Sequence, residues 1–428
     1  MQILSLALVR HPAGILGADR SRKTLRAVLR LRDRLVPLRG DEDAGQRLAV
    51  VRIRIAAEGY HRRDRAVLDD LARPPCRGPP AGCPGSRTPL HGAWASPLRQ
   101  SKRHRYESCP SRGGVGMQLT GFHHLTAMTA HIRENRRFYT EVLGLRLAKR
   151  TVNQDDVRAY HLYYTDGAGS PGTDITFFDW DIPPERRGTR SIVRTMFRVA
   201  GAEALSWWQR RLADAGLAVG EVMDWAGRPT LPFEDPEGQR LALVDDGGQG
   251  PDPVIWGRSP VPPEYQLRGL GPVVLSVPDP GPTAAVLIQV LGMRRVRDLP
   301  SPEDGRHVLH VFAFGEGGPA AELHVLAQPD LPAAQAGAGG VHHVAFRTPN
   351  EREYQAWLRR LNQLGVRNSG PVDRFWFRSL YFREPGGILF EIATDGPGFA
   401  IDEPPESWAR SWRFRPSWSR GGRRSRPN

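Results

Sequence analysis

One hydrophobic pattern recurs four times along the chain. A strand-like run opens each copy: FHHLTAMT (122–129), VRTMFRV (193–199), PVVLSV (272–277) and VHHVAFRT (341–348). An amphipathic stretch follows and stops at a glycine: FYTEVLGLRL (138–147), WWQRRLADAGLAV (207–219), AAVLIQVLGMRRV (284–296) and WLRRLNQLGVRN (357–368). Glycine just past an apolar-periodic segment is the expected helix stop, because it tolerates the left-handed conformation there. Gly144 and Gly292 are 148 positions apart, and Gly216 and Gly365 are 149 apart. Short β-rich runs come next, including RAYHLYY (158–164) with DITFFDW (174–180), RHVLHVFAF (306–314) with ELHVLA (322–327), and RSLYFRE (378–384) with ILFEIA (388–393). Turns DPEG (235–238) and EPGG (384–387) precede the last strands of the second and fourth copies. The matching offsets point to a duplicated half. They predict an α+β fold of four βαβββ modules, in two tandem halves at 117–250 and 265–400. The halves form cupped mixed sheets, and a Gly/Pro-rich stretch (247–264) joins them.

Charge separates this body from the ends. The chain has 428 residues and a formal charge of +14. Residues 1–116 hold 23 Lys and Arg against 10 Asp and Glu, and residues 408–428 hold seven Arg and no acid. Residues 117–407 keep 30 basic against 36 acidic side chains, a net −6. The first 116 residues have scattered Arg, Pro and Gly and few aromatics to stack on bases, so no nucleic-acid partner is expected. We read them as a basic, low-order extension upstream of a natural start at Met117, and 408–428 as a basic tail carried by a frame change. All three cysteines (Cys76, Cys83, Cys109) lie in the leader, so the body suits a reducing cytoplasm. No run approaches the ~18 apolar residues of a membrane-spanning helix, and no membrane partner is expected.

Chemistry shows where the repeat breaks. The first strand of copy one carries His123-His124 and that of copy four His342-His343, whereas the offsets place Pro272 and Arg194 at the equivalent places of copies three and two. On the last strand Glu391 corresponds to Ala242. A carboxylate inside ILFEIA is costly to bury unless it is paired or holds a cation. Two histidines and one carboxylate on strands leave coordination positions open and suit non-haem Fe(II), although zinc tolerates the same donors. One metal can use all three only if copies one and four share a sheet, which leaves copies two and three as a metal-free partner. The body has no CxxC, HExxH, Walker loop or GxSxG, which removes the zincin, P-loop NTPase and serine-hydrolase readings. His131, His161, His307, His310 and His324 read as surface or packing residues, with His324 the best spare ligand.

The strings GFHHLT (121–126), FYTEVLGLRLAKRTVNQDD (138–156), VHHVAF (341–346) and DRFWFRSLYFREPGGILFEIATDGPGF (373–399) resemble the vicinal oxygen chelate superfamily (glyoxalase, bleomycin resistance and extradiol dioxygenase proteins). Within it they are most similar to dioxygenases that cleave hydroquinone-type rings. The resemblance implies Fe(II), with Mn(II) or another divalent metal as substitutes, held by His124, His343 and Glu391. It also implies that Tyr381, Arg374, His123, His342 and Thr126 contact or polarise a phenolic substrate, although strict strand alternation points His123 away from the face of His124. A small aromatic molecule and O2 are the implied partners, and homo-oligomer formation stays open. Two other classes share the fold: a glyoxalase-type isomerase or thiol transferase, and a metal-free drug-binding protein. The isomerases usually want a further donor, and Thr176–Phe178 offers no carboxylate or imidazole at the fourth place.

Overall fold

The computed structural model describes residues 117–410. The expectations for the basic leader and for the tail beyond Arg410 lie outside the described residues. Each predicted copy folds as one strand, a helix and three more strands. The first copy contains β1 (Phe122–Thr129), β2 (Arg146–Val152), β3 (Tyr160–Thr165) and β4 (Asp174–Asp179), and the second β5 (Ser191–Val199), β6 (Met223–Trp225), β7 (Arg228–Glu234) and β8 (Arg240–Asp245). The third contains β9 (Leu270–Val277), β10 (Arg294–Pro300), β11 (Val308–Ala313) and β12 (Glu322–Ala327), and the fourth β13 (Val341–Thr348), β14 (Val372–Asp373), β15 (Phe377–Arg383) and β16 (Leu389–Pro397). The intervening helices are α1 (Ile132–Arg137), α2 (Gly201–Asp214), α3 (Pro280–Ala285) and α4 (Glu351–Gln363); α1 and α3 each run into one π-helical turn.

The strands form two curled eight-stranded sheets. One has the order β14-β15-β16-β13-β1-β4-β3-β2, so the fourth and first copies share it. The other, β10-β11-β12-β9-β5-β8-β7-β6, joins the third and second. This is the pairing that a shared metal demands. One face of each sheet packs with the helices into a common core that includes Leu125, Phe346, Phe390, Phe197, Leu275, Trp208 and Trp357. The opposite, inner face of each sheet is free to hold chemistry or to be filled.

The second sheet fills its inner face with Val193, Met196, Trp225, Ala242, Val274, Leu309 and Leu326. Arg194 sits at the place equivalent to His343, with its guanidinium 5.4 Å from the Trp225 ring centre and donating to the Leu241 carbonyl at 2.8 Å. His324, the spare ligand candidate, lies in this second sheet away from the other imidazoles of interest. It accepts from the Trp225 indole at 3.1 Å and meets Glu322 at 3.0 Å, which makes it a packing residue.

The helix stops follow the repeat, since Gly144, Gly216, Gly292 and Gly365 all have φ between 68° and 78°. Gly144 is constrained twice over: a Cβ there would lie 2.5 Å from Val261, in the stretch that joins the halves. The Ser259 hydroxyl donates to the Gly144 carbonyl at 2.7 Å, so the joining stretch is packed against the first copy.

Trp408, placed by sequence in the basic tail, is buried and stacks edge-on against Phe399. The segment around it straps across β2. Lys149 of β2 is fully buried, and its ammonium reaches Asp402 at 2.7 Å and Glu403 at 2.9 Å between the rings of Trp376 and Trp408. Removing one partner of a buried ion pair leaves the other charge uncompensated. Lys149→Met should therefore lower stability by about 3–5 kcal/mol, read by urea unfolding; a change within experimental error would show that the strap does not depend on this charge.

Candidate metal centre

Strand order sets the centre. Moving across the first sheet, Tyr381 lies on β15, Glu391 on β16, His343 on β13, His124 and Thr126 on β1, Thr176 on β4 and His161 on β3. Register brings them into a row: Tyr381 pairs with Glu391, Glu391 with Ala345, Ala345 with His124, Thr126 with His343, and Thr126 with Thr176. Curling turns this row into the wall of a cavity of about 330 Å3. That volume accommodates a single-ring ligand.

Both His-His pairs sit on β-bulges. Between Phe122 and His124 the β1 strand spends two residues against one of β13, which makes His123 the extra residue; between Thr126 and Ala127 the reverse holds, and His342 is extra. A bulge breaks the two-residue side-chain period. The expectation that alternation turns His123 away from His124 is therefore corrected. The Nδ1 atoms of His123 and His124 lie 2.8 Å apart, and those of His342 and His343 2.7 Å apart. In each pair one imidazole nitrogen holds the other, and this leaves Nε2 of His124 and of His343 free to face inward.

These two Nε2 atoms and the Glu391 carboxylate converge, with all donor atoms within 4.8 Å of one another. Nε2 of His124 lies 3.2 Å and Nε2 of His343 2.9 Å from Glu391 Oε2. Despite this proximity neither carboxylate oxygen of Glu391, fully buried, completes a hydrogen bond. An orphaned buried anion facing two imidazole nitrogens is the environment a divalent cation satisfies. Burial alone would raise the Glu391 carboxyl, but His124 and His343 hold it well below its ordinary value and keep it ionised. Burial, reinforced by His124, pushes His123 down to about 3; burial and His343 do the same to His342. His343 is also lowered by burial, against the pull of Glu391. These three imidazoles are neutral at pH 7.

For Nε2 of His124 to carry a lone pair, its Nδ1 must keep the proton and donate it to Nδ1 of His123. His123 then carries its own proton on Nε2. His123 thus stands behind His124 and does not line the cavity, whereas His342 does, with the Phe178 and Trp180 rings 5.5 and 5.8 Å away. Thr126, Arg374 and Tyr381 also line it. Arg374 donates through Nε to the Tyr381 hydroxyl at 3.1 Å and forks onto Asp155 at 3.0 and 2.8 Å. Gln154 adds a bond to the Arg374 carbonyl at 3.0 Å, so the loop after β2 is clamped to the β14–β15 turn.

Sequence reasoning missed part of the lining. His161, read as a packing residue, faces the cavity together with Tyr163, while Leu162 and Tyr164 enter the core. The alternation within YHLYYT carried that signal. Asn153, Gln154, Asp155, Phe178, Trp180 and Phe377 were likewise not singled out.

The profile of the Glyoxalase/Bleomycin resistance protein/Dioxygenase superfamily matches residues 121–243 and 269–392, one stretch per half. The chain belongs to this superfamily. Among relatives of this superfamily member is a Bacillus subtilis protein named for ring-cleaving dioxygenase activity, MhqA, 45% identical over 67% of this chain and 90% of MhqA. The chlorohydroquinone/hydroquinone 1,2-dioxygenase of Sphingobium indicum is 33% identical over 68% of this chain and 89% of its own length. A crystal structure of a Bacillus subtilis protein described as a dioxygenase superposes with a TM-score of 0.64 at 33% identity, covering 71% of this chain and 95% of the other. The βαβββ modules, shared sheets and inner-face cavity are thus the superfamily's architecture in this chain. No helix among the described residues is long and apolar enough to cross a membrane.

Proposed function

We propose that the chain is a ring-cleaving dioxygenase that opens a small hydroquinone- or catechol-type aromatic with O2, using Fe(II) held by His124, His343 and Glu391. The observation that carries this reading is the Glu391 carboxylate, buried without a hydrogen bond and confronted by two oriented Nε2 atoms in a cavity with aromatic walls. The names of its relatives support it. A bound Fe(II), or Mn(II) in its place, supplies the one-electron and Lewis-acid chemistry that O2 activation requires.

The remaining residues bind, orient and move protons. Phe178, Trp180 and Phe377 give the ring an apolar slot and keep bulk water out. Burial, with Glu391 adding to it, raises the Tyr381 hydroxyl above its ordinary value, so it stays protonated. Because a guanidinium can only donate, the Tyr381 oxygen accepts from Arg374 and its own proton is free for an oxygen in the cavity. Arg374 offsets negative charge developing at that end. His342 is a neutral imidazole at the cavity wall, suited to hydrogen-bond a phenolic oxygen. His123 and Thr126 support His124 and the facing wall. The cytoplasm is the compartment that the cysteine-free body suits.

Anaerobic loading with Fe(II) followed by oxygen-electrode assays against hydroquinones and catechols is the test. We expect O2 uptake in proportion to iron content, abolished by a chelator. A protein that takes up iron without consuming O2 would instead favour the isomerase class, and one that ignores iron the drug-binding class.

A further inference from the structure

We propose that His161 is a positioning residue that makes one wall of the cavity recognise a hydroxyl group, acting through Thr176 on Thr126. This deepens the reading above and rests on it. Nε2 of His161 lies 2.9 Å from the Thr176 hydroxyl, which lies 2.9 Å from the Thr126 hydroxyl. All three side chains are buried, and only His161 and Thr126 reach the cavity. The imidazole is clamped by Tyr163 and Phe178, with ring centres 4.1 and 4.4 Å away, and is tied to Thr176 through Nε2.

With the Thr176 proton spent within the chain, two proton arrangements are possible. With the imidazole proton on Nε2, His161 donates to Thr176, Thr176 donates to Thr126, and Thr126 turns its own proton to the cavity while Nδ1 offers a lone pair. With the proton on Nδ1, every bond reverses: Thr126 donates to Thr176, Thr176 donates to Nε2, and Thr126 offers lone pairs while Nδ1–H is the donor. Either way the wall presents one donor and one acceptor together. A phenolic hydroxyl can both give and take a proton and matches either arrangement; a halogen of similar size cannot, and leaves a buried polar group unmet. Burial holds His161 neutral, well below the ordinary histidine range, so the chain keeps a single mobile imidazole proton. The wall lies on β1, β4 and β3, across the metal donors from Tyr381 on β15, so the two ends of an aromatic molecule are read by different groups.

The test is anaerobic calorimetry on the Fe(II)-loaded protein, comparing hydroquinone with 4-fluorophenol. Wild type should prefer hydroquinone roughly tenfold, the scale of one or two neutral hydrogen bonds. Thr176→Val, which keeps the shape and removes the link, should cut that preference to about twofold or less, and Thr176→Ser should restore it. His161→Phe, which keeps a ring, should match Thr176→Val. A Thr176→Val protein with the wild-type preference, or a wild type with no preference, overturns the proposal. Absence of iron binding or O2 uptake in the wild type strikes the proposed function instead, so the two failures are told apart.

Discussion

Glu391→Gln should strip the protein of its metal and of the stability that the bound metal supplies. The side chain is fully buried and its carboxylate oxygens complete no hydrogen bond. A bound divalent cation compensates such an anion, and glutamine of nearly the same shape offers it no charge. A ligand that binds only the folded state stabilises it by mass action, so the loaded wild type gains stability that the variant lacks. Loss of the anionic donor should weaken metal binding by about 2–5 kcal/mol, roughly 30- to several-thousandfold. Iron content, and melting temperature with and without Fe(II), read both halves. Iron retained at the wild-type level would make Glu391 a structural partner of the histidines instead.

What the sequence disclosed depends on how local each cause is. The duplication was legible because a helix stop needs a left-handed residue, so Gly144 and Gly292 mark the same event 148 positions apart. Glu391 stood out because a carboxylate in ILFEIA violates its own apolar surroundings. The sharing of one sheet by the first and fourth copies followed from asking where a single cation could meet all three donors. The facing of His123 was not legible: strand alternation assumes an unbroken pleat, and the bulge that cancels it is a property of the β1–β13 pairing. Lys149 reads as a surface charge in RLAKRTV, since its acidic partner Asp402 is 253 positions away. Asp155 meets Arg374 across 219 positions for the same reason. His161 differs, because its facing was encoded locally, but its meaning came only from Thr176 on the neighbouring strand.

Tyr381→Phe should lower kcat by roughly 100- to 10,000-fold, the range of a lost proton donor, with iron content unchanged and KM little affected. Its geometry separates it from the metal donors. The Tyr381 ring stands 5.6 Å from that of His343, and its strand position pairs with Glu391, but its hydroxyl is held by Arg374 at 3.1 Å. Arg374 is itself fixed by the fork to Asp155, so the phenol proton points in one sense before any substrate arrives. A proton donor that is already oriented contributes when charge develops on the substrate, not when the ring first docks, which places the loss in kcat. Arg374→Met should reproduce part of that loss and also raise KM, since it frees the loop carrying Gln154 and Asp155 from the β14–β15 turn. A Tyr381→Phe protein that loses iron would mean that the hydroxyl supports the metal donors, and one that turns over at the wild-type rate would show that the hydroxyl moves no proton in the slow step.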